Sequence, residues 1–280
     1  MAEPKAVGAG NPSAPTVFFL SDSTGITAET LGNTLLTQFP AQRLERRSYP
    51  FITTVEQAHQ VVAAIDEVAA TGPRPLVFST TVSPYLRAVL SQSAGHFFDL
   101  FGVHIGQMEQ ALGSPASGLP GQAHGVGDAV RYQSRMSAVE YAIEHDDGQS
   151  LRALERAELI LIAPSRCGKT PTTMYLALQH GILAANFPLV EEDFNSMALP
   201  KPLLPFASKC FGLTSQPVRL SQIRQERRPG SNYASLHQCT FELRNAEDMY
   251  RANNIPYLNS ATMSVEEISA TVLQRMQLHH

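Results

Sequence analysis

The 280-residue chain is 43% hydrophobic and 16% charged with a formal charge of -4, a balance that suits an ordinary globular protein and gives no general reason to expect a nucleic-acid partner. Its length allows about two domains at roughly 150 residues each. Cys167, Cys210 and Cys239 are irregularly spaced with no C-x-x-C pair, which argues against a disulfide framework or a zinc site and fits a reducing, cytoplasmic setting.

Residues 1–15, rich in Ala, Gly and Pro, have neither the cationic start and apolar run of a signal peptide nor a helical period, and read as a disordered leader. No apolar run approaches the roughly 20 residues that span a bilayer, so no membrane partner is expected. From Thr16, "TVFFL" predicts a strand, "SDSTG" a turn and "ITAETLGNTLLTQF" a helix. An extended run near "LERRSYPFI", a helix in "TVEQAHQVVAAIDEVAA", a strand "PLVFST" and a helix "VSPYLRAVLSQ" follow. This alternation predicts an α/β domain over residues 16–128, with a parallel sheet between helices. The Gly- and Pro-dense stretch from Gly113 to Asp128 is read as the linker that closes it. Ser21 to Gly25 fall at the carboxyl end of the first strand, where such sheets bind ligands. By residue type they also make a capped helix start, so a second substrate or phosphate site there stays open.

The second domain, residues 129–280, opens on a helix "YQSRMSAVEYAIEH", breaks at "DDG" and resumes in "QSLRALERA". A strand "ELILIA" leads to a helix "PTTMYLALQH" stopped by Gly181, an extended run "ANFPLV" and a Pro-rich crossing "LPKPLLP". Then come a strand "CFGLTS", helices around "VRLSQIRQERR" and "NYASLHQCTFELRNAEDMYRANN", and a last unit whose Ser264 and Glu267 have capping-box spacing. No internal repeat of fixed period is visible.

Between the strand "ELILIA" and its following helix stand Ala163, Pro164, Ser165, Arg166, Cys167, Gly168, Lys169 and Thr170. They have the length and ending of a phosphate-binding loop, G-x-x-x-x-G-K-[ST], with Ala in the first Gly position. Such a loop turns successive backbone N–H groups and a helix start toward phosphate, while its Lys neutralises charge and its hydroxyl residue holds Mg²⁺. A bare Gly-Lys-Thr is more often a plain turn; the strand before it and the helix after it favour phosphate binding, and with it a P-loop kinase-like α/β domain over residues 129–280. Ala163 is tolerable where its φ is negative, and Pro171 is allowed in a first helical turn.

Four other groups carry candidate chemistry. Asp146 and Asp147, beside His145, have the chemistry to position a hydroxyl, act as base or hold metal-bound water, and read equally as a polar turn. Glu191, Glu192 and Asp193 follow "ANFPLV", where one acid, taken here as Asp193, would support Mg²⁺; Pro188 weakens the strand this needs, and a solvated acidic turn is the commoner reading for the others. Arg219, Arg224, Arg227 and Arg228 crowd one helix, with Arg224 on a face shared with the later pair. That face suits phosphoryl oxygens, Arg224 and Arg228 above all, although most Arg-rich helices are simply solvated. Cys167 reads as a small filler whose thiol pKa the helix end and Lys169 would lower.

"SRCGKTPTTMYLALQHGILAANFPLV", "FFLSDSTGITAETLG", "HDDG", "FGLT" with "LSQIRQERR", and "NSATMSVEEIS" together resemble the phosphoenolpyruvate synthase regulatory proteins, relatives of the pyruvate, phosphate dikinase regulators, from about Thr16 to Met276. The resemblance implies a bifunctional enzyme. With ADP it would phosphorylate, and so inactivate, a threonine of phosphoenolpyruvate synthase, its protein partner; with inorganic phosphate it would remove that group as pyrophosphate. The family's nucleotide loop carries over onto Ala163 to Thr170, with Lys169, Thr170, Asp146 and Asp147 as the catalytic set. The dikinase branch tends to have Ser at the position of Gly168, which points here to the synthase. Without the resemblance, a P-loop kinase of a small metabolite would stand first, and a non-catalytic ADP-sensing module remains the non-enzyme alternative. A homodimer is compatible with the sequence without being specified by it.

Overall fold

Thr16–Leu20, buried along its whole length, forms β1 and sends Phe18 and Leu20 to one face and Val17 and Phe19 to the other. A strand buried on both sides needs helices on both sides, the requirement of a parallel α/β sheet. The computed structural model describes residues 14–121, 129–148, 150 and 152–278. The first 13 residues of the predicted leader and residues 122–128 of the predicted linker lie outside them. The chain divides into two units, Met1–Gly127 and Asp128–His280.

In the first unit α1 (Ile26–Leu36), β2 (Glu45–Tyr49), α2 (Val55–Thr71), β3 (Leu76–Ser79), α3 (Pro84–Leu90), β4 (His96–Asp99) and α4 (Gly102–Leu112) follow β1. The strands are all parallel, in the order β2-β1-β3-β4. Ala58, Val61 and Ile65 of α2 and Leu86 and Leu90 of α3 pack on the Phe18 face, and Ala28 and Leu36 of α1 on the Phe19 face. The sequence reading omits β4 and α4. β4 is only four residues long, and α4 buries none of its side chains, so neither carries a strong apolar period.

The second unit contains α5 (Ala129–Glu144), β5 (Leu159–Ala163), α6 (Lys169–Tyr175), β6 (Ala184–Pro188), β7 (Cys210–Thr214), α7 (Pro217–Arg227), α8 (Leu236–Ala252), β8 (Tyr257–Asn259) and α9 (Val265–Met276). Its strands are again all parallel, in the order β6-β5-β7-β8. Both units thus repeat one topology without a sequence repeat, because parallel crossovers are nearly always right-handed and leave few arrangements. The architecture is α/β as expected. Pro188 is accommodated because β6 is an edge strand whose only sheet neighbour is β5.

Two details hold the second sheet together. The Tyr250 hydroxyl lies 2.9 Å from Ile162 O and 3.2 Å from Leu213 O, sharing its proton between β5 and β7. Its ring passes so close to β7 that a Cβ on Gly212 would sit 2.6 Å away, so only glycine fits. The described part of "QSLRALERA" departs from the expected helix: Ala153 takes φ 54° and Leu154–Arg156 forms a 3-10 turn, while residues 149 and 151 lie outside the described residues. The Ser264 capping box is present. Among the described residues no helix is long and apolar enough to cross a membrane.

Candidate functional site

β5 ends at Ala163, and the chain turns through Pro164 to Gly168 into α6. Ala163 has no positive φ and continues the strand, pairing with Pro188, so alanine serves in place of glycine. Arg166 (φ 71°) and Gly168 (φ 92°) both take left-handed conformations. A Cβ at Gly168 would meet nothing within 4 Å, so the glycine answers the turn and not a lack of room. No side chain caps the start of α6, leaving its first N–H groups to face a ligand.

Lys169 is 4% exposed and folds back, its Nζ donating to Ala163 O (3.0 Å) and Pro164 O (3.2 Å). Burial holds its pKa below the usual lysine value, opposed by the negative charges of Asp147 and Asp146. Thr170 Oγ1 donates to Asp146 Oδ1 (2.8 Å), and Asn186 Nδ2 of β6 donates both to that carboxylate oxygen and to Thr170 Oγ1 (2.9 Å). Asp146 is placed by His145, which is buried with one ring nitrogen 2.9 Å from Tyr141 O and the other 2.6 Å from Arg152 O. Asp147 follows at φ 49°, a strained conformation of the kind that collects at functional sites.

These groups open on one cleft of about 690 Å³. It is lined by Ser165, Arg166 and Gly168 to Pro171 of the loop and α6 start, by Asp146 and Asp147, and by Ile223, Arg227, Arg228 and Tyr233. Lys169, Arg166, Arg227 and Arg228 make it a place for concentrated negative charge.

A family profile described as kinase/pyrophosphorylase matches residues 17–273. The chain belongs to the kinase/pyrophosphorylase family. A relative from Bordetella parapertussis is 46% identical over 268 residues, covering 95% of this chain and 98% of its own. Another, from Legionella pneumophila strain Corby, is 48% identical over 258 residues, covering 92% and 95%. Both are named for regulation of phosphoenolpyruvate synthase.

In this member of the family the arginines of α7 and its C-cap part company. Arg227 and Arg228 reach the cleft, and Arg219 is exposed away from it. Arg224, expected to contact phosphate, is fully buried instead. It donates to Ser165 O (3.0 Å), Tyr233 O (3.0 Å) and Glu242 Oε2 (2.6 Å), and lies 4.2 Å from the centre of the Tyr233 ring. Its place is behind the 163–170 loop, bracing it, because the ion pair with Glu242 turns it toward α8.

Asp193, expected at the metal, is not among the cleft residues. Its Oδ2 accepts from Val190 N (2.9 Å) and caps the 3-10 turn Glu191–Asn195. Glu191 lines a separate hollow with Arg224 and Glu242, and Glu192 is exposed. The acid beside Thr170 is Asp146. In the first unit, Asp22 Oδ2 accepts from Val82 N (2.7 Å) and Ser83 N (3.1 Å), tying the loop after β1 to the loop after β3. The residue before α1 is Gly25, with no side-chain cap. Sequence reasoning missed Asn186 and Tyr233. A lone amide inside the apolar run "AANFP" was a usable signal for Asn186; Tyr233 had none.

Cys167 corrects another expectation. It is 2% exposed, and burial pushes its pKa up to about 12, outweighing Lys169. Cys210 and Cys239 are buried as well. Iodoacetamide at neutral pH is therefore expected to leave all three unmodified in the folded chain and to label all three in denaturant, read by mass spectrometry. Rapid labelling of Cys167 in the native protein would contradict the burial.

Proposed function

We propose that the chain is a bifunctional enzyme, an ADP-dependent serine/threonine protein kinase and phosphate-dependent pyrophosphorylase, that inactivates and reactivates phosphoenolpyruvate synthase at a threonine. The observation that carries this reading is the convergence of Lys169, the Thr170–Asp146 pair and three further arginines on one phosphate-loop cleft. The family description and the relatives' names support the reaction type and the partner.

In the forward direction the threonine oxygen bonds to the β-phosphorus of ADP, the bridging P–O bond breaks, AMP leaves and the hydroxyl proton passes to a base. In the other, an oxygen of inorganic phosphate bonds to the phosphothreonine phosphorus, the threonine oxygen leaves and takes a proton, and pyrophosphate is released. The same groups serve both, since each needs charge stabilised around one transferring phosphoryl. Lys169 would leave the loop carbonyls for that charge, while Arg227 and Arg228 approach it from α7. Asp147 makes no hydrogen bond among the described residues and lines the cleft, which suits a base; Asp146 is committed to Thr170 and Asn186.

Hard oxygen donors suit Mg²⁺, which keeps waters and takes few protein ligands. Thr170 would hold it with Asp146 in support, and bound there it would neutralise phosphate charge. Among the described residues no group of three or more His, Cys, Asp or Glu forms a metal site of its own, so phosphate oxygens and water would complete the shell.

The deciding experiment mixes the protein with magnesium, β-labelled ADP and phosphoenolpyruvate synthase, beside ATP-only and Lys169→Ala controls. Label on a synthase threonine, released by phosphate as pyrophosphate, is the expected result. ADP binding without transfer would overturn it in favour of a sensing module, and turnover on small metabolites alone in favour of an ordinary P-loop kinase.

The buried lysine adds a pH signature. Its pKa lies below the usual lysine value because burial disfavours the charged form. A phosphate beside it favours the charged form and raises the value. ADP binding at alkaline pH, between those two values, should then take up protons. Calorimetry in buffers of differing ionisation enthalpy is expected to show this uptake in the wild type and not in Lys169→Met; equal uptake in both would contradict it.

A further inference from the structure

Asn186 stands in the middle of β6, 2% exposed, and its amide is unevenly served. Nδ2 donates to Asp146 Oδ1 and Thr170 Oγ1, while the buried Oδ1 has no partner among the described residues. A carboxylate only accepts, so the nitrogen must be the atom that faces Asp146, and the amide is not free to turn over. A buried acceptor without a partner is a cost that an apolar side chain in the same place would not carry. Packing therefore does not account for this residue; its two N–H bonds do.

Those bonds close a ring. Thr170 sends its proton to Asp146 (2.8 Å) and receives one from Asn186 (2.9 Å), which leaves one lone pair on Oγ1. Asp146 Oδ1 receives both donors, and Oδ2 makes no hydrogen bond among the described residues. The backbone N–H of Asn186 also donates to His145 O (3.1 Å), which fixes the strand against the Asp146 turn.

We propose that Asn186 is a positioning residue of the phosphoryl-transfer site, aiming the Thr170 proton at Asp146 so that a Thr170 lone pair and the second Asp146 oxygen face a phosphate-bound divalent cation. The proposal rests on the phosphoryl-transfer reading above.

The test measures ADP affinity by calorimetry with and without magnesium, and kcat and KM separately, for the wild type, Asn186→Ala and the isosteric Asn186→Asp. Lys169→Ala serves as control. The expected result is metal-free ADP affinity within about twofold of wild type, with the magnesium-dependent gain reduced by about 10-fold or more, the range that residues supporting metal ligands command. kcat should fall with KM for the protein substrate unchanged. Asn186→Asp should be at least as damaging as Asn186→Ala, since it keeps the shape and sets an acceptor against an acceptor.

A wild-type magnesium gain in both variants, beside an impaired Lys169→Ala, overturns the proposal alone. Loss of metal-free ADP affinity in both variants, with lowered melting temperatures, marks a merely structural residue and overturns it too. A wild type indifferent to both magnesium and Lys169→Ala overturns the phosphoryl-transfer reading and the proposal with it.

Discussion

Lys169→Ala is expected to lower ADP-dependent phosphorylation and its phosphate-dependent reversal together, each by roughly 10²–10³-fold, the usual cost of removing one preorganised donor from developing transition-state charge. The lysine rests on Ala163 O and Pro164 O, so a short movement carries its charge from the loop's own carbonyls to a phosphate. Its removal also strips those carbonyls of a donor, at about 1 kcal/mol each. Urea unfolding of the same variant separates that loss from the catalytic one. Rates in both directions, measured on protein shown to be folded, are the check; loss in one direction only would mean two separate sites.

Arg224→Ala should act on the fold instead, lowering stability by about 3–5 kcal/mol, as expected when one partner of a buried ion pair is removed. Arg224 is fully buried and Glu242 nearly so, and the truncation would strand that carboxylate together with the carbonyls of Ser165 and Tyr233. Arg224→Lys is not a safe replacement, because one ammonium cannot reproduce a planar fork that bridges three acceptors. By contrast, Arg228→Ala, at an exposed position, should cost within about 0.5 kcal/mol of stability while weakening phosphate binding. Denaturation midpoints of the three variants decide it: an Arg224→Ala loss below about 1 kcal/mol would sink the bracing role.

Much of this architecture was legible wherever one local signal sufficed. "TVFFL" and "LILIA" are short apolar runs in β-type residues, and each is a strand buried throughout. The strand-loop-helix unit around Ala163 to Thr170 could be read because its three parts adjoin in the chain. The rest of the site depends on pairings between distant segments. The spacing of Arg224, Arg227 and Arg228 puts them on neighbouring helical positions, yet only contact with Glu242 of α8 reveals that the first is a brace. Asp193 had the right place after a strand for a metal-side acid, but its carboxylate closes its own turn. Asp146 reaches Thr170 because the turn after α5 is pinned against β6, which no spacing encodes. Cys167 is a small buried filler as expected, but the sequence predicts a lowered thiol pKa, because helix end and lysine are visible there while burial is not.

The pinning of that turn also bears on how the protein avoids sticking to itself. β6 is the outer strand of its sheet, and an outer strand with free N–H groups invites edge-to-edge association with another chain. Here the N–H of Asn186 is taken by His145 O, a Cβ on Gly148 would come within 3.2 Å of the Pro188 ring, and Pro188 itself has no N–H to offer. The turn that presents Asp146 and Asp147 is thus also the cover of an aggregation-prone edge. Any change that loosens it, at His145 or Gly148, would be selected against twice: once for the lost acid, and once for the strand it lays bare.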